Sequence, residues 1–355
     1  MDQVDLLVGT TKGLFVLEGA QGRAGWQVTG PFCDGWPINH AIGDAETGEI
    51  WAAGGNGWTG PGVWRRQGGA WTHSGAGLEG NASAWSLARD GGRMLAGTKP
   101  AALWESGDGG VTWEKLPALT DLPGAAEWQP GAAGLVLHTI LVAPGGRIWV
   151  GISSAGAFAS TDGGASWQHK MRRSNRPGPA GAFAADPANP YGAVESEIFS
   201  CVHNMMLGAV DGLIYMQNHL GTYRTRDGGE VWEEIGEGLP STFGFPVGAH
   251  PRDPGTVWTF PLNGDSAGRY PPGAKAVVWR SRDGGETWEA KGEGLPAQDC
   301  FFTVLRQAMA VDRATPAGVY FGTNSGSIFA SRDEGDHWEE IARHLPTVLS
   351  VEVMG

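Results

Sequence analysis

Cysteine is scarce: only Cys33, Cys201 and Cys300 occur among 355 residues. An odd number at scattered positions excludes a disulfide framework, and no short Cys spacing marks a metal motif. Long basic runs are missing, and the formal net charge is −13. Nucleic acid and anionic membranes are therefore not expected as partners. No long apolar stretch occurs, and the opening Met1-Asp-Gln-Val-Asp-Leu-Leu-Val-Gly9 carries no positive leader. Neither a signal peptide nor a transmembrane helix is expected, and a reducing, cytoplasmic setting is the default. No segment sustains a 3.6-residue apolar period, so helices are not expected to build the fold. Tyrosine is rare, with five, which leaves few candidates for tyrosine-based chemistry. What abounds is turn-forming and aromatic: 59 Gly, 22 Pro and 17 Trp. That is the composition of many short strands joined by tight turns. The length suits one large repeat domain over residues 1–355.

One octapeptide recurs five times. Its copies are 106–113, 160–167, 225–232, 281–288 and 331–338, with the pattern Ser/Thr-x-Asp-x-Gly-x-x-Trp. The Ser/Thr and Asp side chains accept bonds from nearby backbone N–H groups and pin a tight turn. Glycine supplies the positive φ that such a turn needs. The Trp opens the next strand and buries a large apolar area. The motif is thus a hairpin staple, not a catalytic group. It resembles the Asp-box, or bacterial neuraminidase repeat, of sialidase-like β-propellers. The opening Val8-Gly-Thr-Thr-Lys-Gly-Leu-Phe15 and the closing 322–335 segment resemble bacterial proteins described as exo-α-sialidase or BNR-repeat glycosyl hydrolases.

The resemblance implies four-stranded antiparallel blades of about 40–50 residues. Five blades carry the box. A sixth, at His40-Ala-Ile-Gly-Asp44, Ile50-Trp-Ala-Ala53 and Val63 to Trp71, has the same layout without it. The seventh is split, with Val348–Val353 as inner strand and residues 6–9, 13–17 and 26–28 supplying the rest. Equivalent tryptophans are then Trp26, Trp71, Trp113, Trp167, Trp232, Trp288 and Trp338. The reading is an all-β, seven-bladed propeller closed by its terminal strands, with six blades as the alternative.

Ligand sites sit in loops carried by a rigid scaffold. The face opposite the Asp-boxes collects the second-to-third-strand loops and the crossings between blades. The crossing over 171–197 is the longest and is expected to be functional or disordered. The inner strands place His138, His203 and Arg306 at equivalent positions, with His40 two residues deeper and so on the same side of the pleat. His219 and Glu127 are within reach of the same mouth. Neutral imidazoles with a carboxylate suit Zn, Mn, Fe or Cu. His40, His138, His203 and His219 form the expected metal set, leaving a position for water or substrate. His138, His203, Glu127 and Arg306 are the candidate catalytic groups. Arg306, Arg269, Tyr270, Trp128 and His219 are the candidate substrate contacts. The alternative is a solvated channel whose polar groups satisfy one another. His169, His250, His337 and His344 are read as surface residues. Cys201 is read as core, with a Cys–His nucleophile pair as its alternative.

Three functions follow. The first is a hydrolase or lyase for a small anionic or saccharide substrate at the channel mouth, metal-assisted if the imidazoles bind an ion. The second is a non-catalytic scaffold that binds another protein. The third is an exo-α-sialidase. Sialidases use an arginine triad, a Tyr–Glu nucleophile pair, an Asp acid and an N-terminal Arg-Ile-Pro motif. That motif is absent here, so the resemblance carries the fold and not the sialidase mechanism.

Overall fold

The Asp-box turns fold by internal hydrogen bonding. In the computed structural model, which describes residues 4–20, 22–173 and 198–354, each box repeats one pattern. Ser106 Oγ donates to Asp108 Oδ1 (2.7 Å) and accepts the Gly110 N–H (2.9 Å). Asp108 Oδ1 also accepts from the N–H groups of Val111 and Thr112, and the Thr112 hydroxyl donates to Asp108 Oδ2 (2.6 Å). One carboxylate thus gathers four donors from a single turn. Position four of the box lies at positive φ throughout. Glycine takes it in four copies, whereas Glu334 takes it at φ 61 in the fifth.

The turns order seven four-stranded antiparallel sheets. Blades 2 to 7 have inner strands Ile38–Asp44, Ser83–Asp90, Leu137–Ala143, Val202–Leu207, Gly244–Ala249 and Met309–Val311. Blade 1 takes its inner strand, Val348–Val353, from the far end of the chain. It pairs antiparallel with Asp5–Thr10, setting Leu7 opposite Glu352 and Val8 opposite Val351. Each inner strand lies beside the next, and the last returns to the first. The molecule is a seven-bladed β-propeller, and six blades is excluded. Of the seven expected tryptophans, Trp26 and Trp71 lie within an outer strand, and Trp113, Trp167, Trp232, Trp288 and Trp338 immediately precede one. No helix among the described residues is long and apolar enough to cross a membrane. The 171–197 crossing lies, from residue 174 onward, outside the described residues.

Blades lock to their neighbours through the same turns. The blade 2 residue Trp51 donates its indole N–H to the Gly109 carbonyl of the blade 3 box (2.9 Å). Trp149 of blade 4 does so to Gly228 of blade 5 (2.8 Å), and Trp258 of blade 6 to Glu334 of blade 7 (3.0 Å). Arginine serves elsewhere: Arg93 of blade 3 reaches the Gly163 carbonyl (3.0 Å), and Arg224 of blade 5 reaches that of Gly284 (2.5 Å). At the closure, buried Arg23 of blade 1 bonds Asp312 and the carbonyls of Pro316 and Arg332 in blade 7.

Two predictions test the staples and the locks. Trp149→Phe keeps an aromatic ring but orphans the Gly228 carbonyl. It should lower stability by about 1 kcal/mol, read by denaturant unfolding. Hydroxyl and backbone donors hold Asp162 and Asp283 down to about 2. The unfolded chain therefore binds protons first as pH falls, near the ordinary carboxylate value of about 4. Stability from the boxes is complete above that value and lost toward pH 2. The melting temperature should drop steeply between pH 4 and 2, and a flat profile there would contradict the staple.

Candidate functional site

The inner strands begin with a bulge that decides which side chains reach which mouth. Ile38 pairs with Gly54 and His40 with Ala53, so Asn39 is extra. In blade 4 the extra residue is His138, and in blade 5 it is His203. An extra residue reverses the inward–outward alternation beyond it. His40 is therefore the counterpart of Thr139 and Asn204, not of the other two histidines. With them and Gln307 it lines a chamber at the Asp-box end of the channel.

That register corrects the expected metal set. His40 Nδ1 accepts the Leu87 N–H (3.1 Å), and Nε2 lies 2.9 Å from Glu352 Oε1. Both ring nitrogens of His138 are also engaged, Nε2 with the Val202 carbonyl (2.8 Å) and Nδ1 with the Thr139 hydroxyl (3.1 Å). Buried and fully partnered, His138 serves the packing between blades 4 and 5. Glu127 is exposed on a short 3₁₀ turn, and Trp128 is buried against Phe158 (5.3 Å between ring centroids). Tyr270 packs edge-on against Phe301 (5.2 Å). None of these five lines the other mouth, on the face of the second-to-third-strand loops.

Four expected residues do meet there: His203, His219, Arg269 and Arg306. They line a cavity of about 170 Å³ together with Cys201 and Asp265. Arg306 lies over the Phe245 ring at 4.8 Å, and Arg269 lies 5.8 Å from the same ring. Arg269 is tied to Asp265 (2.5 Å), and its carbonyl accepts from the Thr303 hydroxyl (2.8 Å). Arg306 differs. Among the described residues its buried Nε has no hydrogen-bond partner, and no ion pair involves it. Burial pulls its pKa below the ordinary range, yet a guanidinium keeps its charge in proteins.

His203 is oriented by its own backbone contacts. Nδ1–H donates to the Gly244 carbonyl (2.6 Å), so the Nε2 lone pair is bare. The His219 ring meets it edge-on at 5.3 Å, and Asp265 Oδ2 stands 3.6 Å from His219 Nε2. Burial, then the Arg306 charge, drives His203 well below 6.5. The same two causes hold His138 at about 3. Burial lowers His219 too, and Asp265 opposes that. The site thus offers neutral imidazoles facing fixed positive charge.

Two residues were misread from sequence. Cys201 lines the cavity rather than the core. His250 is buried, with Nδ1 accepting from the N–H groups of Arg252 (3.0 Å) and Asp253 (2.8 Å). Asp265 was not foreseen as a site residue, although Arg269 and Tyr270 from the same loop were expected as substrate contacts.

The BNR/Asp-box repeat family model matches residues 279–290. The chain is a β-propeller that carries the BNR/Asp-box repeat. A xyloglucanase of Paenibacillus sp is 29% identical across 52% of this chain, which spans only 18% of that enzyme. A xyloglucanase structure from Xanthomonas campestris superposes with TM-score 0.63 at 19% identity, covering 96% of this chain and 52% of that one. YCF48 bound to a D1 peptide gives 0.57 at 15% identity, covering 96% and 84%. A putative 6-phosphogluconolactonase from Bacteroides uniformis gives 0.61 at 12% identity, covering 99% and 100%. At these identities the structures share the fold.

His203 and His138 have folded pKa values below the unfolded 6.5, so each should stay neutral as the pH falls to 5. Nitrogen-15 NMR of the imidazoles should show His203 protonated on Nδ1 alone at pH 5. Because the unfolded chain protonates first, their contribution to stability is complete above about 6.5 and declines below it. An imidazolium signal for His203 at pH 6 would contradict the geometry.

Proposed function

We propose that the chain binds a small organic anion at this mouth and acts on it as a hydrolase or lyase. The observation that carries the reading is Arg306, a half-buried guanidinium without a hydrogen-bond partner among the described residues, aimed into a cavity lined by two imidazoles. A buried donor such as its Nε left unmade is costly, and a carboxylate or phosphate oxygen satisfies it in the geometry that guanidinium favours. Arg269 supplies a second positive group, steadied by Asp265. Stacking on Phe245 restricts the guanidinium and lowers the ordering cost of binding.

The catalytic roles follow from the tautomers. His203 Nε2 carries the free lone pair and is the general base. His219, beside Asp265, is placed to return a proton to the leaving group. The cavity of about 170 Å³ falls below the roughly 300–1,000 Å³ of drug-sized sites. It therefore favours a small metabolite over a polysaccharide chain. Among the described residues Asp265 is the single carboxylate lining it, whereas most glycoside hydrolysis uses two. The xyloglucanase resemblance thus supports the scaffold more than the substrate. A scaffold role, of the kind the peptide-bound YCF48 suggests, is the rival that the test must separate.

The test is a thermal-shift and calorimetric screen of carboxylates, sugar acids and phosphate esters. A ligand should stabilise the protein, and Arg306→Gln should weaken it at least tenfold, about 1.4 kcal/mol. His203→Gln should retain binding but lose about 10²-fold or more in turnover of a cleavable analogue. Equal binding by Arg306→Gln, or no anion bound by the wild type, sinks the reading in favour of the scaffold.

A further inference from the structure

We infer that Cys201, His203 and His219 form a three-ligand site for a divalent transition metal, zinc by preference. One donor atom from each lies within 4.8 Å of the other two, the single such group among the described residues. This deepens the proposed reading and rests on its anion site: the ion would sit beside the anion-binding arginines, take a ring nitrogen of His203 and of His219 as ligands, and supply through its bound water the base that the metal-free site assigns to His203.

The donors come from three positions of blade 5. Cys201 precedes the blade 5 inner strand, His203 is the bulged residue of that strand, and His219 follows the second strand of the same blade. His219 is anchored by its N–H to the Cys201 carbonyl (3.0 Å), so two of the donors move as one unit. Phe199 and Phe243 pack against the His219 ring at 5.5 and 5.0 Å. Thiolate and imidazole together suit zinc. Tetrahedral zinc, with Zn–S near 2.3 Å and Zn–N near 2.0–2.1 Å, needs donors about 3.3–3.6 Å apart. Reaching that spacing from 4.8 Å takes shifts of about 1 Å, which fall on the half-buried Cys201 and His219 because His203 is held by the Gly244 carbonyl.

The surroundings match what metal ligands require beyond the donors. His203 gives its second ring N–H to a backbone carbonyl, the arrangement that aims and strengthens a ligating imidazole. Asp265 stands 3.6 Å from His219 Nε2 as a carboxylate neighbour. Three protein donors leave the fourth position open, as in catalytic rather than structural zinc sites. An ion there faces Arg306 across the cavity, so an anionic substrate would bridge metal and guanidinium. Binding releases the Cys201 proton to solvent, and no oxidant or reductant is needed.

The experiment titrates tagless, metal-stripped protein with cobalt(II) alone. The expected result is one equivalent bound, with intense tetrahedral d–d bands and a thiolate-to-cobalt charge-transfer absorption. Cys201→Ser should abolish the charge-transfer band. His219→Ala should weaken cobalt binding at least tenfold, with circular dichroism and melting confirming that each variant is folded. Cys33 and Cys300 are buried elsewhere, so the band reports on Cys201. No spectral change, octahedral bands only, or a Cys201→Ser spectrum identical to wild type overturns the metal site. Anion binding by the metal-free protein that survives such a result leaves the proposed function standing. Tight cobalt binding without any anion ligand would defeat that function and keep the site.

Discussion

The fold depends on a carbonyl that two blades share. Each Asp-box turn spends its side-chain acceptors on its own backbone, and in doing so fixes the direction of the carbonyl at its fourth position. Those carbonyls are then the acceptors for Trp51, Trp149 and Trp258, or for Arg93 and Arg224, of the preceding blade. A turn that merely reversed the chain would leave these indole N–H groups without acceptors and would leave Arg93 and Arg224 only their carboxylate partners. Local turn chemistry and ring assembly are thereby one constraint, which explains why the motif is spelled out in five of the seven blades. The two blades without it use other means, including the pairing of the chain's two ends and the buried Arg23–Asp312 contact.

That division of labour leaves the opposite face free. Its loops carry no staple, and their side chains need not serve the ring. The cavity there is assembled from a crossing, three second-to-third-strand loops and residues at or just before the start of three inner strands. Rigid strands place His203 and Phe245, while the loop from Asn263 carries Asp265 and Arg269. A base held by the backbone and a charge held on an aromatic face are what a reaction on a small anion requires. Propeller geometry alone would not supply either.

The fold was legible because its signal is periodic. Five boxes and seven tryptophans define blade boundaries whatever lies between them, and the split blade followed from needing a partner for Leu6 to Gly9. The face of the site was legible for the same reason. The members of the site were less so. His40 was misplaced because counting by twos fails across a bulge, and no residue type announces that bulge: Asn39, His138 and His203 occupy it in three blades. His138 and His203 look equivalent in sequence, yet one spends both nitrogens on neighbours and the other keeps one bare. Asp265 and Cys201 became visible only when separate loops were brought together in space.

Closure by residues 348–353 has a consequence for biosynthesis. The inner edge of Asp5–Thr10 is made first and covered last. Throughout synthesis of the intervening blades, Leu6, Leu7 and Val8 present an unpaired, apolar strand edge, the kind of surface that recruits foreign strands. The six blades that follow can each form as they emerge, but the ring cannot shut until its final strand arrives. A chain stalled a few residues early would carry nearly all of its sheets and still behave as a sticky, open crescent.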